Sequence, residues 1–329
     1  MCLVSIIIPT FNRPDLLYEA VKSCVSQTYS NLEIIVVNDG GEDVGKVINS
    51  FLDSRIKYII HEKNKGLSAA RNTGIKKAKG QYFIYLDDDD ILYPEHISVL
   101  LNYIKRNDHK VVYSDAYCAK QVYNGDKYFI KKRYKFYSFD FDKKRLLKEN
   151  YIPVLCLMHH RDCLNQTGFF DENLVRLEDW DLWINMSQYF DFYHIKKITC
   201  EYRVRRSGSS MMTGRKEPFV WSGLNIFFKY KRLYEQDEKL YKFYKKTVSN
   251  SIDFLINNIY EEVRDNLDYN EIPSRYDYIE KAIERLLLLK DHYKENFNQL
   301  RYLIALLKHK KRQLYLKKWS KIDPIYELI

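Results

Sequence analysis

The chain lacks the marks of several protein classes. Its six cysteines, Cys2, Cys24, Cys118, Cys156, Cys163 and Cys200, form no C-x-x-C pair, and no two histidines stand at zinc spacing. A structural zinc module is thereby set aside, and the thiols read as reduced, as in a cytoplasmic protein. No apolar run reaches the roughly 18 residues that a bilayer-spanning helix needs, so any work at a membrane would be done from its surface. The apolar stretch Cys2 to Ile8 has no basic segment before it and runs at once into Pro9-Thr10-Phe11-Asn12-Arg13. It reads as a first strand rather than a signal peptide. No helix-turn-helix, zinc-finger or RNP-like motif is present, so nucleic acid is not an expected partner. Glycine is scarce, at 11 of 329 residues, and absent after Gly223. That shift in composition places a domain boundary near residue 215, giving domains 1–215 and 216–329.

What is present is a chain that can bury a core, with 46% hydrophobic residues and a net charge of +10 that favours anionic partners. Short β-branched runs alternate with helical patterns over the first hundred residues, the signature of βαβ units around a mostly parallel sheet. Val4 to Ile8, Leu32 to Val37, Ile56 to Ile60 and Tyr82 to Leu86 are the expected strands. A helix opens at Pro14, with Leu17, Ala20, Val21, Cys24 and Val25 on one face. A second helix runs from Leu67 to Ala78 and is ended by Gly80. Further on, Tyr123-Asn124-Gly125-Asp126 reads as a hairpin turn, Asp179 to Tyr189 as a helix, and Phe192 to Ile198 and Thr199 to Val204 as two strands. From Lys216 the pattern is helical, with Ile252, Leu255 and Ile256, then Ile279, Ala282, Ile283, Leu286 and Leu287 at helical spacing.

In an open parallel sheet, ligands bind beyond the carboxyl ends of the strands. Pro9 to Arg13, Asn38-Asp39-Gly40-Gly41 and Asp87-Asp88-Asp89-Asp90 all fall at such ends. Asp39 either accepts hydrogen bonds from a nucleobase or ribose, or shapes an Asx-turn. Four adjacent carboxylates repel one another, and a divalent cation removes that repulsion. Asp87 and Asp89, two apart, offer hard oxygen ligands suited to Mn²⁺ or Mg²⁺ on a diphosphate. The alternative is a solvated acidic loop ahead of the helix that Pro94 and Glu95 open.

Four segments in order, Val4-Ser5-Ile6-Ile7-Ile8-Pro9-Thr10-Phe11-Asn12-Arg13, Val36-Val37-Asn38-Asp39-Gly40, Asn64 to Gly74 and Leu86-Asp87-Asp88-Asp89-Asp90, resemble the signatures of family 2 inverting glycosyltransferases. Gly168-Phe169-Phe170-Asp171-Glu172 and Glu178-Asp179-Trp180-Asp181-Leu182-Trp183 extend the resemblance over roughly the first 205 residues. It implies the GT-A fold, a Rossmann-like, mostly parallel sheet with helices on both faces, followed here by a helical C-terminal region. It also implies transfer of a sugar from a nucleotide-sugar, with UDP the first choice and dTDP behind it, to a hydroxyl of a glycan, lipid-linked or protein acceptor. Carried over by motif, Thr10, Asp39 and Arg71 serve the nucleotide, Asp87 or Asp88 lies against the ribose and sugar, and Asp89 holds the metal. Asp179 is then the catalytic base, taking the proton of the attacking hydroxyl.

One position departs from the pattern. Where many relatives carry a histidine that helps to hold the metal, this chain has Arg205, which is always protonated and cannot be a ligand. Arg205 or Arg206 is instead expected to bind the leaving diphosphate. His159-His160 stands as a candidate for an acceptor pocket, with the two rings on opposite sides of a strand. The basic stretch Lys308, Lys310, Lys311, Arg312, Lys317, Lys318 and Lys321 reads as a solvated helix face, a peripheral contact with the inner face of the membrane, or a homo-oligomer or partner contact. Two other functions compete: a sugar nucleotidyltransferase, for which no glycine-rich phosphate loop follows the first strand, and a scaffold that binds nucleotide-sugar without turnover.

Overall fold

The computed structural model describes residues 2–107, 109–125, 128–136, 138–205 and 216–266, with isolated positions 284, 287, 305 and 308 beyond. Its strands are β1 (Val4–Thr10), β2 (Leu32–Asn38), β3 (Ile56–Ile60), β4 (Tyr82–Tyr85), β5 (Ile91–Leu92), β6 (Val111–Tyr123), β7 (Tyr128–Phe136), β8 (Leu157–His160) and β9 (Phe192–Arg205). The helices are α1 (Pro14–Val25), α2 (Gly45–Asn49), α3 (Leu67–Lys77), α4 (His96–Asn107), α5 (Lys143–Leu146), α6 (Cys163–Thr167), α7 (Glu178–Ser187), α8 (Glu217–Lys229), α9 (Lys231–Glu235) and α10 (Glu238–Asn266).

The sheet runs in the order β3-β2-β1-β4-β8-β6-β9-β5, with β7 paired to β6. Its first half is parallel: β1 lies between β2 and β4, and β3 flanks β2. Every residue of β1 and β2 is buried, which is what near-continuous apolar runs achieve in strands covered on both faces. Their carboxyl ends therefore stop together, with Thr10 beside Asn38. Beyond β4 the sheet is mixed. The strand β8 is antiparallel to both β4 and β6, and β6 is parallel to β9. Helix α1 begins with Pro14 and buries Leu17, Ala20, Val21 and Cys24, as its spacing predicts.

One expectation needs correction. Phe192 to Ile198 and Thr199 to Val204 are not two strands but the single strand β9. The expected break between Ile198 and Thr199 falls at an irregularity in its pairing with β6, where the register steps from Ser114 opposite Ile195 to Asp115 opposite Ile198 and then to Ala116 opposite Cys200, passing over the exposed Lys196 and Lys197. Residues extruded at a bulge face water, so they interrupt an apolar pattern without ending the strand.

The chain divides into compact units Met1–Ser222 and Gly223–Ile329, the break falling inside α8. In the second unit α9 and α10 bury Tyr234, Leu240, Tyr244, Val248, Ile252 and Leu255. Apart from the isolated positions, the expectations for Ile279 to Leu287, for the basic stretch from Lys308 to Lys321 and for Arg206 fall outside the described residues. Among the described residues no helix is long and apolar enough to cross a membrane.

Candidate active site

The ends of β1 and β2 supply the first wall. The Asp39 carboxylate accepts hydrogen bonds from Lys65 N (2.9 Å) and Gly66 N (2.8 Å), and His61 Nδ1 lies 2.7 Å from its Oδ1. Gly66 makes this possible: its φ of +95° is costly for any residue with a Cβ, and it turns the chain into α3 with the N–H aimed at Asp39. Asp39 thus shapes a turn and stands on the cavity wall at once.

The acidic run is the loop between β4 and β5. Asp87 accepts from Arg71 Nη2 (2.5 Å), and Asp88 from Thr10 Oγ1 (2.8 Å) and Arg13 Nη1 (3.1 Å). Asp89 Oδ2 accepts from Arg205 Nη1 (2.9 Å) and Arg13 Nη1 (3.4 Å). Asp90 is fully buried and accepts from Arg203 N (2.8 Å), tying the loop to β9. Burial pushes the Asp88 carboxyl up to about 7, with the charges of Asp89 and Asp87 adding and Arg13 and Thr10 opposing. Burial and the same like charges raise Asp90 well above the carboxylate range.

Arg71, buried on α3, joins this loop to the opposite wall by pairing with Glu178 at the start of α7 as well as with Asp87. Burial works against its charge, but Asp87 and Glu178 outweigh it and hold its pKa above the ordinary value. Beside Glu178, Asp179 accepts from Asn150 Nδ2 (3.0 Å) and from the N–H of Trp180 (2.8 Å). Burial pushes Asp179 up to about 7 and the charge of Glu178 adds to it, while Arg71, Asn150 and the Trp180 N–H oppose the rise. Helix α7 is anchored by Trp180 Nε1 on Leu146 O (2.6 Å) and Trp183 Nε1 on Ile152 O (3.1 Å).

Thr10, Asp39, Arg71, Asp87, Asp88, Asp89 and Asp179 line a single cavity of about 730 Å³. Arg205 does not. Its side chain is fully buried behind Asp89, with the guanidinium 5.1 Å from the Tyr128 ring. The cationic groups on the wall are Arg13, Lys65, Arg176 and Arg203 beside Arg71, and sequence reasoning gave no role to the first four. Arg13 and Lys65 fall within the segments Val4 to Arg13 and Asn64 to Gly74, which were their available signal. The histidine pair is also absent from the wall: His159 is fully buried with Nε2 2.9 Å from the Tyr85 hydroxyl, and His160 packs edge-on against Tyr82.

The Glycosyl transferase family 2 model matches residues 5–166. An uncharacterized glycosyltransferase of Rickettsia typhi is 32% identical over 234 residues, covering 67% of this chain and 71% of that protein. The chain belongs to glycosyl transferase family 2. The chain spans only 62% and 52% of the length of uncharacterized glycosyltransferases of Rickettsia prowazekii and Rickettsia felis, which are 34% and 29% identical over the matched residues. Among solved structures, Staphylococcus aureus TarS 1–349 in complex with UDP-GlcNAc is similar with a TM-score of 0.58 at 16% identity, covering 94% of this chain and 93% of that one. The mannosyltransferase PcManGT from Pyrobaculum calidifontis, in complex with GDP-Man and Mn²⁺, gives a TM-score of 0.52 at 16% identity over 94% and 86%. The fold is that of GT-A glycosyltransferases, with a helical C-terminal region.

Proposed function

We propose that this chain transfers a sugar from a nucleoside-diphosphate sugar to an acceptor hydroxyl with inversion at the anomeric carbon. The observation that carries the reading is one cavity lined both by the Asp87-Asp88-Asp89 loop and by the Asp179 carboxylate, with Arg71 bridging the two walls. Asp179 accepts the proton of the attacking hydroxyl, and Asn150 holds the carboxylate oxygen Oδ2 in place. A single displacement needs no protein nucleophile, because the nucleoside diphosphate departs from the opposite face of the sugar. Thr10, Asp39, Arg71, Asp87 and Asp88 hold the donor. UDP is the first choice of nucleotide and dTDP the second, and a hexosyl or N-acetylhexosaminyl group is the group transferred.

Among the described residues no cluster of three or more acidic, histidine or cysteine side chains is set to hold a metal, but Asp89, which lines the cavity with Oδ1 free of hydrogen bonds, offers a hard oxygen ligand suited to Mn²⁺ or Mg²⁺. Asp89 would hold the ion, which when bound supplies Lewis-acid stabilisation of the leaving diphosphate. Arg205 holds Asp89 from behind, and Arg13 brings positive charge to the cavity wall beside it. A cytoplasmic reaction, with the acceptor on a glycan, a lipid or a protein, accords with six free thiols.

The test is a donor screen that follows nucleotide release from UDP-, dTDP- and GDP-sugars, with Mn²⁺ or with chelator, for the wild type and for Asp179→Asn. We expect one donor to be turned over, with the variant slower by about 10²- to 10⁴-fold. Full-rate release by Asp179→Asn would remove Asp179 from the base role.

A further inference from the structure

The guanidinium groups on the cavity wall are matched to carboxylates, with one exception. Arg13 pairs with Asp88 and Asp89, Arg71 with Asp87 and Glu178, and Arg203 with Glu201 and Glu19. Arg176 has no carboxylate within ion-pairing distance among the described residues. Its Nη1 donates to its neighbour's carbonyl, Val175 O (3.0 Å), its guanidinium carbon lies 5.6 Å from the centroid of the Phe219 ring, and its main-chain N donates to Ser222 Oγ (3.1 Å). Its Nε is buried and has no hydrogen-bond partner among the described residues. A buried donor on a charged group costs free energy unless something accepts from it, and a planar guanidinium offers two parallel donors that match an oxyanion.

We propose that Arg176 is an oxyanion subsite for the acceptor, so that the sugar is transferred to a hydroxyl close to a phosphate or carboxylate group. The inference rests on the transfer reading above. Its place in the chain separates it from the donor: Arg176 precedes the base Asp179 by three residues, a backbone span of at most about 11 Å. The donor diphosphate is served from the other wall, by the loop between β4 and β5 and by α3. Arg176 and Asp179 line the same cavity, so an anion at Arg176 is placed on the acceptor side of the hydroxyl that Asp179 is proposed to deprotonate. The Phe219 ring, with its centroid 5.6 Å from the guanidinium carbon, gives the cation a favourable contact at this position.

The test uses the full chain labelled with ¹⁵N-arginine and saturated with UDP, which fills the donor side. The Arg176 Nε–H resonance is assigned by its loss in Arg176→Lys. Inorganic phosphate, methyl β-D-glucuronide and neutral methyl β-D-glucoside are then titrated separately. We expect at least one of the two anions to shift that resonance saturably, bound about ten-fold or more tighter than the glucoside, with the stronger of the two naming the source of the charge. Arg176→Gln should bind UDP as the wild type does and lose the preference for the anion. A resonance that neither anion moves, or that glucoside moves equally, overturns the subsite. An anion preference that survives in Arg176→Gln overturns it as well. Failure to bind any of UDP, GDP and dTDP counts against the transfer reading itself, whereas UDP binding with a silent Arg176 removes only the acceptor subsite.

Discussion

In the proposed base role Asp179 meets two opposed demands: it must be charged to take a proton, yet burial and the Glu178 charge favour its neutral form. Its pKa, pushed up to about 7, sets the sign of the pH dependence. Below that value the carboxyl is protonated and cannot act as base, so kcat/KM should rise as pH increases through about 7 and level off above it. A carboxylate at the ordinary value of about 4 would already be fully active at pH 6. Asn150 donates to the charged form, so Asn150→Ala should move the midpoint to higher pH, as read from a pH–rate profile; a downward move would refute the arrangement. At Gly40 the constraint is steric. Its φ is +74° and an added Cβ would stand 2.3 Å from the Lys63 carbonyl carbon. Gly40→Ala should cost about 1–2 kcal/mol from the left-handed backbone alone. The clash also displaces the segment whose Lys65 and Gly66 N–H groups hold Asp39, so weaker nucleotide binding should accompany the drop in denaturation midpoint.

At the scale of elements, the parallel half of the sheet was legible because β1, β2 and β4 are short runs covered on both faces, and their apolar character alone marks them. Helix α1 was legible from its spacing. The long strand β9 was not legible as one strand, since its two register irregularities against β6 lie on either side of Ile198, where two strands were expected to meet. The role of Arg205 was not legible either. Sequence order puts it beyond the last strand, whereas pairing of Gln121 with Arg205 and of Ile91 with Glu201 brings the end of β9 under the acidic loop. That loop is held there by Arg203 N on Asp90 and by Arg205 on Asp89. Arg205→Ala should therefore act first on stability. A fully buried ion pair broken on one side costs about 3–5 kcal/mol, and because Asp89 keeps some exposure we expect about 2–3 kcal/mol. Urea denaturation at unchanged m-value checks this. Unaltered stability with lost diphosphate affinity would instead give Arg205 the direct donor contact that its sequence position suggested.

For the whole molecule, the net charge of +10 points to anionic partners without choosing among them, and the cavity narrows the choice. There Arg13, Arg71 and Arg205 pair with carboxylates of the acidic loop, so the proposed donor diphosphate would meet paired charges rather than a bare acidic surface. Each residue proposed for the donor, the base and the acceptor anion, from Thr10 to Arg205, lies within the compact unit Met1–Ser222. That unit buries its own core, including the whole of β1 and β2 and the anchored face of α7. We propose accordingly that donor binding belongs to this unit and that the helical remainder serves another purpose. A chain ended after residue 230, which keeps α8 intact, should fold and bind UDP with the affinity of the full chain in a calorimetric titration. If the shortened chain folds, by circular dichroism and a cooperative melt, but no longer binds the nucleotide, the helices beyond α8 take part in the donor site. If its affinity is unchanged while transfer to an acceptor is lost, those helices act on the acceptor side of the reaction.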